Sequence, residues 1–198
     1  PGDDTEGSDD AVAFIAGLRQ TADLAALPVG RDVVVIGGGM TAIDAAVQSK
    51  LLGAESVTVA YRRARDRMPA SRYEQDLAAS KGVRLLEHVS PRALHGTGSL
   101  QEIELDYMAE VDGTLQATGE TLRLPADQVF RAIGQKLVPV EGLETEGRKI
   151  RVTGAGRTSV PGVWAGGDCT PGEDLTVVAV AEGRDAAQDI HAHLSGAA

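Results

Sequence analysis

Six consecutive residues, Gly37-Gly38-Gly39-Met40-Thr41-Ala42, fit the pattern G-x-G-x-x-(G/A), a turn that lays a diphosphate against the start of a helix. Gly37 permits the tight turn, Gly39 lets a pyrophosphate approach the backbone, and Ala42 lets the helix lie close to the preceding strand. Met40 and Thr41 stand at the helix start, where unpaired N–H groups and the positive end of the helix dipole suit an anion. About twenty residues further on, where a carboxylate would accept hydrogen bonds from the ribose of NAD, the chain has Arg62 and Arg63. Guanidinium forks match a phosphate instead, so the pair points to the 2′-phosphate of NADP(H). Arg65 and Arg67 extend the basic turn to four arginines within six residues, in a chain of net charge −10. That local reversal of sign favours a phosphate contact over a solvated loop. An S-adenosylmethionine site can also carry a glycine turn, but that ligand offers paired arginines no 2′-phosphate.

These residues need particular elements around them. Val33, Val34, Val35 and Ile36 form a continuous β-branched run, the pattern of a parallel strand covered on both faces. Ile43, Ala46, Val47 and Leu51 then repeat at helical spacing, Gly53 stands where a left-handed cap is needed, and residues 57–61 read as a second strand. Strand, turn, helix and strand thus occur in the order a dinucleotide site requires.

Upstream, Asp9 or Asp10 can cap a helix over residues 11–20, preceded by a mobile acidic stretch. Downstream, Ser71 and Glu74 have the spacing of a capping box for a helix over 72–80, Gly82 ends it, and 83–86 reads as a third parallel strand. From 100 to 124 the pattern changes to three alternating segments separated by Asp112-Gly113 and Thr118-Gly119, predicting an antiparallel excursion with two hairpin turns. An apolar strand returns over 127–133. A loop over 136–145, a short strand over 149–152 and a strand over 160–165 follow. In the last helix Val177, Val180, Gly183, Ala187, Ile190 and Leu194 make one continuous face. Trp164 reads as core, and His191 and His193, two apart on that helix, point in different directions and make no metal pair. The fold class is α/β: a Rossmann-like parallel sheet with helices on both faces and an inserted antiparallel β excursion, in a chain long enough for one large domain or one and a fraction.

The bulk composition narrows the function. With 29 acidic and 19 basic residues, the chain lacks the extended positive surface of a nucleic-acid binder. A single cysteine, Cys169, excludes within these residues a disulfide, a CxxC redox pair and an iron–sulfur ligand set. No apolar run reaches membrane-spanning length and no signal peptide is visible. The first residue is Pro1, not Met, which suggests a piece of a longer cytoplasmic protein.

Four stretches, VVVIGGGMTAIDAA, VTVAYRR, VFRAIG and VPGVWAGGDCTPGEDLTVVAVAEGRDAA, together resemble the flavoprotein family of the glutamate synthase small subunit and the electron-input half of dihydropyrimidine dehydrogenase. The resemblance runs from about Asp10 to Leu194 and implies an NADPH-binding domain inserted into an FAD-binding domain. It assigns Gly37, Gly38, Gly39, Met40, Thr41 and Ala42 to the pyrophosphate turn and Arg62 and Arg63 to the 2′-phosphate. Gly134 marks where the chain leaves the NADPH domain. Gly167 and Asp168 fall on the segment that meets the ribityl chain of FAD, and Thr176 lies near the flavin ring. The family's first glycine fingerprint, which holds the FAD pyrophosphate, is missing, so the FAD site is incomplete here. The implied organisation is a leading segment with a helix over 1–30, an NADP(H) domain over 31–135 and a return segment over 136–198 carrying the last strand and helix of the FAD domain. The implied activity is hydride transfer from NADPH to FAD, then electron transfer to iron–sulfur centres of the parent or of a large partner subunit. Hydride transfer needs aligned rings more than a protein acid or base, so no catalytic residue is assigned. Apolar surface from about Thr158 onward, left open by the incomplete domain, must pack back on the domain, pair with a second copy of the chain or stay loose. A non-catalytic nucleotide-binding or docking module is the alternative for these residues in isolation.

Overall fold

The computed structural model describes residues 5–135 and 137–196; the first four residues of the acidic stretch and Lys136 of the loop expected over 136–145 lie outside them. The chain falls into two compact units, Pro1–Gly134 and Gln135–Ala198.

In the first unit, strand β1 (Ser8–Asp10) leads into helix α1 (Ala11–Gln20), followed by β2 (Asp32–Ile36), α2 (Met40–Leu51), β3 (Ser56–Ala60), α3 (Arg72–Ser80), β4 (Arg84–Leu86), β5 (Val89–Thr97), β6 (Ser99–Val111), β7 (Thr114–Pro125) and β8 (Gln128–Arg131). Five strands form a parallel sheet in the order β1-β8-β2-β3-β4. The cap residues perform as their types dictate. The Asp10 carboxylate accepts the N–H groups of Val12 and Ala13, Ser71 and Glu74 close a reciprocal capping box, and Gly53, just past α2, has φ +108.

Because side chains alternate along a strand, the sheet presents two apolar faces. Val33, Val35, Val57, Val59 and Phe130 meet Ala42, Ile43, Ala46 and Ala78 of the helices. On the other face Val34, Ile36, Ala60 and Val129 meet Val89, Leu100, Ile103 and Leu105 of the antiparallel sheet β5-β6-β7. The expectation of helices on both faces is therefore met on one face only. The inserted β excursion covers the other, since the inward side of β6 is apolar at alternate residues.

Three local readings need correction. Ser8–Asp10, read as part of a mobile stretch, pairs in parallel with β8 as an edge strand. Thr118-Gly119 is not a second hairpin turn: β7 runs through it, and the register passes from Asp106↔Thr121 to Met108↔Ala117. Gly119 does take a positive φ of +91, but the extra residues bulge from one long strand. β5 was not expected at all. Pro91 and Gly96 lie at its register shifts and interrupt the alternation by which a strand is read.

The second unit has little regular structure. The short strands β9 (Thr145–Glu146) and β10 (Lys149–Ile150) pair antiparallel, a 3-10 turn spans Gly167–Cys169, and helix α4 runs from Thr176 to Leu194. In place of the strand expected over 160–165, residues 160–163 form a turn and Trp164 makes an isolated antiparallel bridge with Arg157. Val163 N–H donates to the Val160 carbonyl at 3.1 Å, with Pro161 second and Gly162 third at φ +82, the residue pattern of a type II turn. The Thr158 hydroxyl fastens it through the Val163 carbonyl at 2.9 Å. Among the described residues, no helix is long and apolar enough to cross a membrane.

Candidate functional site: a glycine turn and an arginine loop

β2 and β3 are parallel neighbours, so their carboxyl ends open on the same edge of the sheet, where ligands bind in open α/β sheets. Ile36 leads directly into the glycines. Gly37 donates its N–H to the Ala60 carbonyl at 3.1 Å and takes φ +147. A Cβ there would lie 2.3 Å from the Ala132 carbonyl oxygen, and one on Gly38 would lie 2.5 Å from the Tyr61 ring. Both glycines are thus demanded by the protein itself. Gly39 differs: a Cβ on it would meet nothing within 4 Å, so its bareness leaves space on the open side of the turn.

Gly39 is also the N-cap of α2 and, having no side chain, gives that helix start no capping bond. Only Ala42 and Ile43 find the Gly39 carbonyl, so the amides of Met40 and Thr41 belong to the unpaired first turn. Ala42 is completely buried. An uncapped helix start, a bare residue and an open side are the features from which an anion seat is built.

The loop after β3 borders this seat. Tyr61 is buried with its ring against Gly38, and its hydroxyl donates to the Arg67 carbonyl at 2.7 Å. Ala70 N–H donates to the Gly38 carbonyl at 3.0 Å. Within this loop the four arginines differ. Arg65 is committed to α3: its Nε donates to Gln75 Oε1 at 2.9 Å and its Nη2 to Asp76 at 2.6 Å, while its backbone N–H meets Glu87 at 2.7 Å. Arg62 and Arg63 make no side-chain hydrogen bond or ion pair among the described residues. The sequence shows four alike; the structure makes Arg65 part of the scaffold and leaves Arg62, Arg63 and also Arg67 without a side-chain partner among the described residues.

Sequence reading missed the supports. Gln75 is only 3% exposed, and both ends of its amide are used, the oxygen by Arg65 and the nitrogen by the Ala70 carbonyl at 2.9 Å. A signal existed: Gln75 lies three residues before buried Ala78, so a polar amide sits on the buried side of α3 and needs partners. His88, at φ +56, donates its backbone N–H to the Arg63 carbonyl at 3.3 Å.

The remaining site residues divide between the units. Gly134 ends the first unit at φ +95. In the second unit Gly167 opens the 3-10 turn at φ +78 and donates its N–H to Glu182 at 2.6 Å. Asp168 is exposed and has no hydrogen bond or ion pair among the described residues; Thr176 begins α4, also without a capping side chain. Trp164, expected in a core, is half-buried and polar in use. Its ring N–H donates to Asp189 at 2.7 Å, and Arg157 grips the same carboxylate in a two-pronged pair at 2.6 and 2.9 Å. The Arg157 bond, with that of Trp164, holds Asp189 below the usual carboxylate range. A cavity of about 90 Å³ beside Gly154, Gly156 and Glu182 is too small for a nucleotide.

Comparison with known proteins agrees with this geometry. The small chain of glutamate synthase (NADPH) from Escherichia coli K12 is 37% identical over 180 residues, covering 81% of this chain and 38% of that one. The NAD-dependent dihydropyrimidine dehydrogenase subunit PreT of the same organism is 33% identical over 189 residues, covering 94% and 42%. The chain thus spans about two-fifths of the length of these relatives. Among solved structures, T. acidophilum thioredoxin reductase superposes with a TM-score of 0.68 at 26% identity, over 82% of this chain and 52% of that one. Mycobacterium tuberculosis FprA in complex with NADPH gives 0.67 at 20% identity over 100% and 61%, a likeness of fold. A family model described as pyridine nucleotide-disulphide oxidoreductase matches residues 1–183. With glycine turn, helix start and sheet order all in place, the chain belongs to the pyridine nucleotide-disulphide oxidoreductase family.

Proposed function

We propose that these residues are the NADPH-binding portion of a flavoprotein oxidoreductase that passes a hydride from NADPH to FAD and electrons onward to iron–sulfur centres, in the manner of a glutamate synthase small subunit. The observation that carries this reading is the uncapped start of α2, open beside Gly39, bordered by a loop whose Arg62 and Arg63 have no protein partner among the described residues. One seat suits a pyrophosphate and two guanidinium groups suit a 2′-phosphate. Kinship alone does not choose the nucleotide: one relative's name carries NADPH and another's NAD.

In this reading NADPH supplies the hydride. The chain's own residues bind and orient: Gly37 and Gly38 shape the turn, Gly39, Met40, Thr41 and Ala42 receive the diphosphate, and Arg62 and Arg63 select the phosphorylated ribose. Gly134 lies where the chain leaves this domain. Gly167, Asp168 and Thr176 are the part of an FAD site that these residues contribute. The wider enzyme supplies the rest of that site, the iron–sulfur clusters and a large subunit that accepts the electrons, in the cytoplasm. The exposed side of α4, with Val177 and Val180, is where a second copy of the chain would pair. The dihydropyrimidine dehydrogenase relative keeps electron input to pyrimidine reduction as a second reading.

Titration calorimetry with NADPH and NADH, beside a visible spectrum for flavin, tests the proposal. Replacing Arg62 and Arg63 together with Ala should weaken NADPH by about 1.5–3 kcal/mol per lost charged contact and leave NADH unchanged. Equal losses for the two nucleotides would overturn the 2′-phosphate assignment.

A further inference from the structure

Arg62 and Arg63 are aimed by nothing in their own side chains, since neither guanidinium bonds to the described protein. Whatever holds them ready must act through the backbone of loop 61–70. That backbone is fastened at several points. Tyr61 hydroxyl meets the Arg67 carbonyl, the Gln75 amide N–H meets the Ala70 carbonyl while its oxygen takes the Arg65 side chain, Ala70 N–H meets Gly38, Glu87 takes the Arg65 N–H, and His88 N–H meets the Arg63 carbonyl. Two of these fastenings come from buried side chains, Tyr61 and Gln75, at 8% and 3% exposure.

We propose that Tyr61 and Gln75 are positioning residues for nucleotide discrimination: by pinning loop 61–70 they hold Arg62 and Arg63 in place for a 2′-phosphate before it arrives. The inference rests on the 2′-phosphate reading given above. An unpinned loop would have to be ordered by the ligand, and that ordering entropy subtracts from affinity. NADH, which makes no demand on the arginines, escapes that penalty. The two halves of Tyr61 have separable duties. Its ring touches Gly38 of the diphosphate turn and serves any dinucleotide, whereas its hydroxyl reaches only the arginine loop.

The test is calorimetric titration of Tyr61→Phe and Gln75→Met with NADPH and NADH, beside Arg62→Ala/Arg63→Ala alone and combined with Tyr61→Phe. Tyr61→Phe keeps the ring and removes one hydrogen bond, so NADPH should weaken about three- to tenfold while NADH stays within about twofold. Gln75→Met should do the same and serves as the second variant. In the Arg62→Ala/Arg63→Ala background, Tyr61→Phe should no longer change the NADPH to NADH ratio, because the hydroxyl acts through those arginines. If Tyr61→Phe and Gln75→Met weaken both nucleotides equally, or neither, while Arg62→Ala/Arg63→Ala still abolishes the preference, the positioning role is wrong and the 2′-phosphate reading stands. If Arg62→Ala/Arg63→Ala leaves the preference intact, both fall.

Discussion

The first unit buries its apolar residues in two layers, one on each face of a parallel sheet, and Val33, Val35, Val57, Val59 and Phe130 are essentially inaccessible. In the second unit only Ile150 and Thr170 are buried among the described residues, and the apolar stripe of α4 faces outward, with Val177 73%, Val180 68% and Leu194 79% exposed. That unit is tied by polar knots instead: Asp189 joins Arg157 to Trp164, Glu182 takes the Gly167 amide, and Lys149 pairs with Asp174. A layered core depends on shape and responds to lost volume, whereas a polar knot depends on charge and responds to pH. The chain also carries its own reporters for the comparison, since Tyr61, Tyr73 and Tyr107 all lie in the first unit and the single tryptophan, Trp164, in the second.

The largest effect should come from Phe130→Ala. The ring is fully buried and stacks on Phe14 with centroids 4.3 Å apart, so its removal should destabilise the first unit by about 3–5 kcal/mol, read as an earlier tyrosine-monitored denaturant midpoint. If the tryptophan signal moves by the same amount, the two units unfold as one and the contrast between them dissolves.

Asp189→Asn sharpens the other side. The carboxyl is held below its usual range, so its stabilising contribution is complete above the ordinary aspartate pKa and is lost as pH falls through the lowered value. The substitution should remove that acid-side loss from the Trp164 fluorescence titration and leave the tyrosine signal as it was. An unaltered tryptophan titration would mean that the knot does not hold the unit.

The smallest effect belongs to Val180→Ser. With the side chain mostly exposed, stability of this chain should shift by no more than about 0.5 kcal/mol. A large loss in thermal denaturation would show that the stripe on α4 is covered in solution.

The contrast also marks what could be read in advance. Strand, turn, helix and strand around the glycines were legible because each local preference agrees with the packing: β-branched residues on the sheet, a capless glycine where an anion belongs, Gly53 at a positive φ. The turn at Gly37 to Ala42 and the arginine loop of the candidate site were legible as local structure, but not the sorting of Arg65 from Arg62 and Arg63, which depends on Gln75, Asp76 and Glu87 arriving from other elements. In the second unit local signals misled. Val160 to Ala165 has the composition of a strand, yet Pro161-Gly162 bends it, and beyond the bend only an isolated antiparallel bridge from Trp164 to Arg157 forms. The α4 stripe predicted a helix correctly but not its surroundings, since periodicity says which residues share a face and nothing about what meets it.

The contact between Gly37 and Ala132 ties the site to the order of synthesis. β8 lies between β1 and β2 in the sheet although the chain makes it after the whole antiparallel insertion, and Ala132, the residue that follows it, supplies the carbonyl against which the glycine turn closes. A nascent chain on the ribosome therefore holds Gly37 to Arg63 long before it can assemble them, and the glycine turn is closed only when β8 has threaded between two strands already made and Ala132 has followed it. What looks in sequence like a local motif matures late, as a long-range pairing, and the insertion sets the wait.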